Sequence, residues 1–122
     1  MSESQQIHFR QYLERQTDPA KDTLHHGDCI GADTEAADIA FELGYTDDRI
    51  IVHPSTLEHK RAHNPHGTVL PVKPPLERNT DIAKACTILI ACPNTTAEQQ
   101  RSGTWATVRR ARAAGKLVLF CH

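Results

Sequence analysis

Segments with the pattern of a β-strand alternate with segments with the pattern of a helix along this 122-residue chain, and this alternation limits the fold most strongly. The clearest helix pattern, residues 32–43, has an apolar face and ends before Gly44, a residue that suits a helix C-cap. The clearest strand pattern, residues 87–91, is a short apolar run. Alternating strands and helices imply a parallel sheet with helices on both faces.

The whole chain extends this alternation to the order α-β-α-β-α-β-α-β. Helices are predicted at residues 5–16, 32–43, 76–85 and 104–114, and strands at residues 23–25, 49–53, 87–91 and 116–121. Residues 54–76 contain five prolines and are predicted to be a loop, in which Val69 and Leu70 add a short extended piece. The sequence therefore predicts one α/β domain over residues 1–122, a three-layer α/β/α arrangement with an open parallel sheet of about four strands.

Charge and cysteine usage restrict the class of protein. The formal net charge of −1 argues against a nucleic-acid partner. None of the four cysteines forms a Cys-x-x-Cys pair, and three lie in or beside apolar runs, which is typical of reduced thiols in the cytoplasm. Neither a signal peptide nor an apolar run approaching the roughly 20 residues of a membrane span is seen, so we expect a cytoplasmic protein without a membrane partner.

Two glycine-containing turns, each between a strand pattern and a helix pattern, predict a binding site for a phosphorylated ligand. The first turn supplies the candidate residues His26, Gly27, Asp28, Gly31, Ala32 and Asp33, and the second supplies Arg101, Ser102, Gly103, Thr104 and Trp105. Backbone N–H groups at the start of a helix lack partners within the helix and bind phosphate oxygens. Ligands of parallel sheets bind at the carboxyl ends of strands, so we expect both turns, together with His53, at one edge.

Several of these residues have a second interpretation. Asp28 and Asp33 are weak candidates for catalysis or for accepting hydrogen bonds from a ribose, but they also suit helix capping. Arg78 and Asn79 either reach a phosphate or base edge, or are an exposed arginine and a cap. Trp105 either stacks on a base or belongs to the core.

The eight histidines raise the question of a metal. His59 and His63 have the i, i+4 spacing of two ligands on a helix, and His66 follows. Pro65 interrupts that helix, and no cysteine or carboxylate completes a known spacing. The sequence therefore predicts a polar loop here, with neither a metal nor a cofactor.

Three runs of this chain, residues 25–33, 75–79 and 101–105, resemble the SLOG superfamily, which includes the DNA-processing protein A and Lonely Guy families. The resemblance covers roughly residues 20–121, and the runs come in the family's order. It implies a Rossmann-like nucleotide-binding domain, which commonly forms a homodimer.

The chain departs from that family in two places. Such domains normally begin with a strand and a glycine-containing loop, whereas the first pattern here is a helix. Lonely Guy enzymes, which cleave the N-glycosidic bond of nucleotides, carry a glutamate at the position of Thr107. Because threonine cannot act as that carboxylate, binding or sensing of a nucleotide is the preferred function. The alternatives are hydrolysis of nucleoside monophosphates and DNA binding of the kind implied by DNA-processing protein A.

Overall fold

The computed structural model describes residues 1–93 and 103–122, so Arg101 and Ser102 of the predicted phosphate turn lie outside the described residues. The helices are α1 (Glu3–Gln16), α2 (Ala32–Glu42), α3 (Pro75–Ala85) and α4 (Gly103–Ala113). The strands are β1 (Leu24–His26), β2 (Ile50–Val52), β3 (Thr68–Val69), β4 (Ile88–Ala91) and β5 (Leu117–Phe120). Short 3₁₀ turns occupy Asp47–Arg49 and Glu58–Lys60. The predicted α/β class is confirmed.

The strands form two parallel sheets. The first has the order β1-β2-β3, and the second pairs β4 with β5. The predicted strands are thus parallel, but the described residues contain five of them in two sheets where about four in one sheet were expected. β3 has only two residues, and it is followed closely by Pro71, Pro74 and Pro75, which lack the N–H group that a longer strand would need.

Helix α1 is fixed to the carboxyl ends of β4 and β5. Its start is a capping box, in which the Ser2 hydroxyl accepts from the Gln5 N–H at 3.0 Å and the Gln5 side chain accepts from the Ser2 N–H at 2.9 Å. The same buried Gln5 amide donates to the carbonyls of Pro93 at 3.0 Å and Cys121 at 3.2 Å. One glutamine therefore sets both where α1 begins and where it lies on the second sheet.

Two apolar clusters cover opposite faces of β4. The larger joins α1 and α2 to β2 and includes Ile90 at its margin. The smaller joins α4 to β4 and β5 and includes Leu89 at its margin. Successive side chains of a strand point to opposite faces, so α1 and α4 lie on the two sides of β4. None of the helices in the described part of the chain has the length and apolar character needed to cross a membrane.

Candidate functional site

A cleft of about 940 Å³ lies between β1 and β4, and residues of both glycine-containing turns line it. The predicted site residues that line the cleft are His26, Gly27, Gly31, Ala32, Asp33, Arg78, Asn79, Gly103, Thr104 and Trp105. Asp28 and His53, which the sequence also suggested, are not among the lining residues. The fold thus brings together residues that are more than 70 positions apart in sequence.

The buried side chain of Arg78 connects the ends of β1 and β2 by hydrogen bonds. Its Nη1 donates to the carbonyl oxygens of Gly27 at 2.5 Å and His53 at 3.3 Å, and the residue is only 8% exposed. A Cβ at Gly27 would collide with this nitrogen, so a larger residue here would force the end of the Arg78 side chain to move. The Arg78 Nε has no hydrogen-bond partner among the described residues. The exposed-arginine interpretation is therefore wrong.

His26 presents a buried nitrogen to the same region. Its Nδ1 accepts the backbone N–H of Asp28 at 3.0 Å. Burial lowers the pKa of His26 and outweighs the opposing effect of nearby Asp33 and Asp28. A neutral ring whose Nδ1 accepts must carry its proton on Nε2. That Nε2 is buried and has no partner in the described parts of the chain, so His26 retains one unused donor.

Asp28 organises a loop beside the cleft. It is 1% exposed and has a φ of 57°, a left-handed conformation that aspartate tolerates better than most residues. Its carboxylate accepts from the Arg61 Nε at 3.3 Å and from the backbone N–H groups of His63 at 3.3 Å and Asn64 at 3.2 Å. These contacts give it a structural role that local sequence reasoning missed, since its partners lie more than 30 residues away.

Asp33 lies in the first turn of α2 and lines the cleft. Its Oδ2 accepts the backbone N–H of Cys29 at 3.0 Å, which shapes the turn before the helix. Gly31 is the N-cap and has a φ of 107°, a value that favours glycine. The other acidic residue of this turn, Glu35, is paired with the amino group of Met1. Asp33 is therefore the acidic side chain of this turn that can face a ligand.

His53 pairs with His25, a contact that the sequence analysis did not anticipate. The His25 Nδ1 and His53 Nε2 atoms are 2.9 Å apart. Burial, followed by the proximity of His25, lowers the pKa of His53 to about 4. Burial also lowers the pKa of His25, so both rings are neutral near pH 7, and one ring donates to the other.

The start of α4 forms the other side of the cleft. Among the described residues, no atom would lie within 4 Å of a Cβ at Gly103. Trp105 is 6% exposed and packs against Phe120 with ring centroids 5.5 Å apart. The Thr107 hydroxyl donates to the Gly103 carbonyl at 3.0 Å. Trp105 therefore belongs to the core, and Thr107 bonds back to its own helix.

Among the described residues, no group of three or more histidine, cysteine or acidic side chains is arranged to hold a metal ion. In the loop where the histidines are concentrated, His63 instead bonds to Glu58, and His66 stacks on Phe41 with ring centroids 3.8 Å apart. No model of a known protein family, no curated protein and no solved structure matches this chain.

Proposed function

We propose that this chain is a Rossmann-like domain that binds a nucleotide or a related phosphorylated ligand at the end of the cleft formed by the Gly27 and Gly103 turns. The observation that carries the proposal is the shared lining of one cleft by both turns, beside two buried donors, the His26 Nε2 and the Arg78 Nε, that have no partner among the described residues. A buried donor without an acceptor is costly, and a phosphate or ribose oxygen would supply one.

The two helix starts suit different parts of a nucleotide. The first turn of α4 contains no acidic residue, whereas the first turn of α2 contains Asp33 and Glu35. A phosphate would be repelled by Asp33 and attracted by the positive end of α4, so we assign the phosphate to the Gly103 turn. Asp33 is then placed to accept hydrogen bonds from ribose hydroxyl groups.

Binding is favoured over hydrolysis because of the groups that α4 presents. Cleavage of an N-glycosidic bond builds positive charge on the sugar, which a carboxylate must stabilise or relieve by activating water. At the position where Lonely Guy enzymes carry the glutamate, α4 has Thr107, whose hydroxyl already donates to the Gly103 carbonyl. The formal net charge of −1 likewise favours a small ligand over DNA.

Thermal unfolding of the purified chain with adenosine, guanosine and cytidine monophosphates tests the proposal. The matching nucleosides and inorganic phosphate serve as partial ligands. A ligand at 100 times its dissociation constant should stabilise the fold by about 2.7 kcal/mol. Nucleotides should stabilise the chain more than either partial ligand, and no stabilisation by any of them would contradict the proposal.

Two substitutions at Gly103 locate the site. Gly103→Trp would fill the space at the start of α4 and should weaken nucleotide binding by at least about tenfold, or 1.4 kcal/mol. Gly103→Ala adds a methyl group that meets no atom of the described residues within 4 Å, and this variant should bind almost as well as the unaltered chain. Equal affinity in all three proteins would reject this location. Chromatography of the same mixtures for free base tests the alternative, and turnover abolished by Asp33→Asn would establish a hydrolase.

A further inference from the structure

The two strands that face each other across the cleft each have an edge that pairs with no strand in the described residues. β1 pairs with β2 only, and β4 pairs with β5 only. Residues from the full length of both strands line the cleft. A strand edge carries a row of N–H and C=O groups that can pair with another chain. Here two such edges border one space.

The helices around this cleft are arranged like those around the central strand of a parallel sheet. Phe9 and Leu13 of α1 line the cleft, and α1 lies on one side of β4. Ile82 of α3 and Trp105 of α4 also line it, and α4 lies on the opposite side of β4. Helices on both faces and strands on both edges are the environment of a buried parallel strand.

The composition of β4 agrees with this geometry. The strand is entirely apolar, as expected for the middle of a parallel sheet, yet Ile88 is 39% exposed. Charged lining residues lie toward the ends of the cleft, with Lys21 and Asp22 before β1 and Asp33 and Arg78 beyond its other end. Between them, the side chains supplied by β1 and β4 carry no charge near neutral pH, since burial lowers the pKa of His25 and of His26. An occupant of this middle part would have to be uncharged.

We propose that the cleft accepts an apolar β-strand of about five or six residues from a different polypeptide, which pairs with β1 along one edge and β4 along the other. Such a strand would join the two sheets into one. We assign the strand to a different polypeptide rather than to a second copy, because every strand in the described ranges of this chain is already paired within its own sheet. The inference does not depend on nucleotide binding, whose site lies at the end of the cleft formed by the two turns.

A fluorescently labelled peptide with a Val-Ile-Val-Ala-Val core and terminal lysines tests this proposal by fluorescence anisotropy. Successive residues of a strand direct their backbone groups to opposite edges. N-methylation of the odd-numbered residues of the peptide therefore removes the N–H donors of one edge, and N-methylation of the even-numbered residues removes those of the other. Insertion between β1 and β4 uses both edges, and each methylated peptide should bind at least about tenfold more weakly. If N-methylation of only one set weakens binding, the peptide adds to an outer edge of one sheet. If N-methylation of neither set weakens binding, the peptide adsorbs without strand pairing. Either result, or an absence of binding, overturns the proposal.

Two neighbouring apolar residues provide a matched pair of variants. Ile88 and Leu117 are opposite each other in the β4–β5 register and are 39% and 55% exposed. Ile88 lines the cleft and Leu117 does not. Ile88→Lys should weaken peptide binding at least about tenfold, and Leu117→Lys should leave it unchanged. Equal loss in both variants would contradict insertion at the cleft.

Two further measurements separate the possible occupants. Hydrogen exchange should show that the peptide protects amides of both β1 and β4, and protection of β3 or β5 alone would contradict the proposal. Unlabelled chain added in excess should not displace the peptide. Displacement would mean that a second copy occupies the cleft, which would overturn the assignment to a different polypeptide.

Discussion

The two sheets of this molecule are held by different kinds of interaction. At the carboxyl ends of β1 and β2, Arg78, the His25–His53 pair and the carboxylate of Asp28 make directional contacts with backbone and side-chain groups. β4 and β5 instead pack their apolar side chains against Trp105 and Val108. Hydrogen bonds hold their donor and acceptor atoms at defined distances and angles, whereas the burial of apolar surface is largely non-directional.

The contrast between the two sheets determines where a bound ligand can be held in a fixed geometry. The end of β1 keeps a fixed geometry because the Arg78 Nη1 donates to two defined carbonyl oxygens and the Asp28 carboxylate accepts from three defined donors. The β4 side supplies an apolar wall and a strand edge that pairs with no strand of the described residues. A small polar ligand suits the first environment, and an extended apolar segment suits the space between the two.

The largest change in stability is expected in the sheet of β4 and β5, which we call the apolar half. The sheet of β1, β2 and β3 is the polar half. Trp105→Ala removes a side chain that is 6% exposed and its contact with Phe120, and should lower the free energy of unfolding by about 3–5 kcal/mol. Urea unfolding measures this value, and Trp105→Phe, which keeps an aromatic ring, should cost less. Hydrogen exchange should show lost protection first in β4 and β5. Equal early loss in β1 and β2 would show that the two sheets open as one unit.

A smaller effect is expected in the polar half. Arg78→Met keeps most of the apolar stem but leaves the carbonyls of Gly27 and His53 without this donor, which should cost about 2–3 kcal/mol in urea unfolding. The control Arg15→Met alters an exposed residue of α1 and should stay within about 0.5 kcal/mol. If the two variants behaved alike, directional contacts would not be what holds this half.

The smallest of the three effects is a pH dependence confined to the polar half. The folded chain holds His53 neutral down to a pKa of about 4, whereas the unfolded chain takes up this proton near 6.5. The unfolded state therefore binds more protons between these values, and stability falls as the pH falls through that window. The contribution of this histidine should be on the order of 2 kcal/mol after allowance for solvent screening.

His53→Gln should flatten this part of the curve of unfolding free energy against pH between 6.5 and 4. The exposed His59→Gln serves as the control and should leave the curve unchanged. A wild-type curve that does not fall in this window would contradict the assignment. A fall in amide protection of β4 and β5 equal to that of β1 and β2 would show that the effect is not confined to one half.

Local patterns in the sequence were sufficient to predict the α/β class, the order of α1 to α4 and of β1, β2, β4 and β5, and a cleft lined by both glycine-containing turns. Periodicity and turn residues are local signals, and they placed α2 at residues 32–43 where the structure has Ala32–Glu42. The rule that ligand sites form at the carboxyl ends of parallel strands then placed Gly27 and Gly103 beside one cleft. These predictions needed only short-range patterns and one general property of the fold class.

The division of the strands into two sheets and the contacts of the polar side chains at the site depend on residues that are far apart in sequence. Arg78 reaches a carbonyl 51 residues away, and Asp28 accepts donors more than 30 residues away. An isolated sequence carries no signal for such pairs, because each partner is an ordinary loop or helix residue in its own segment. The cleft likewise follows from which strand edges find partners, and strand pairing depends on the packing of the whole chain.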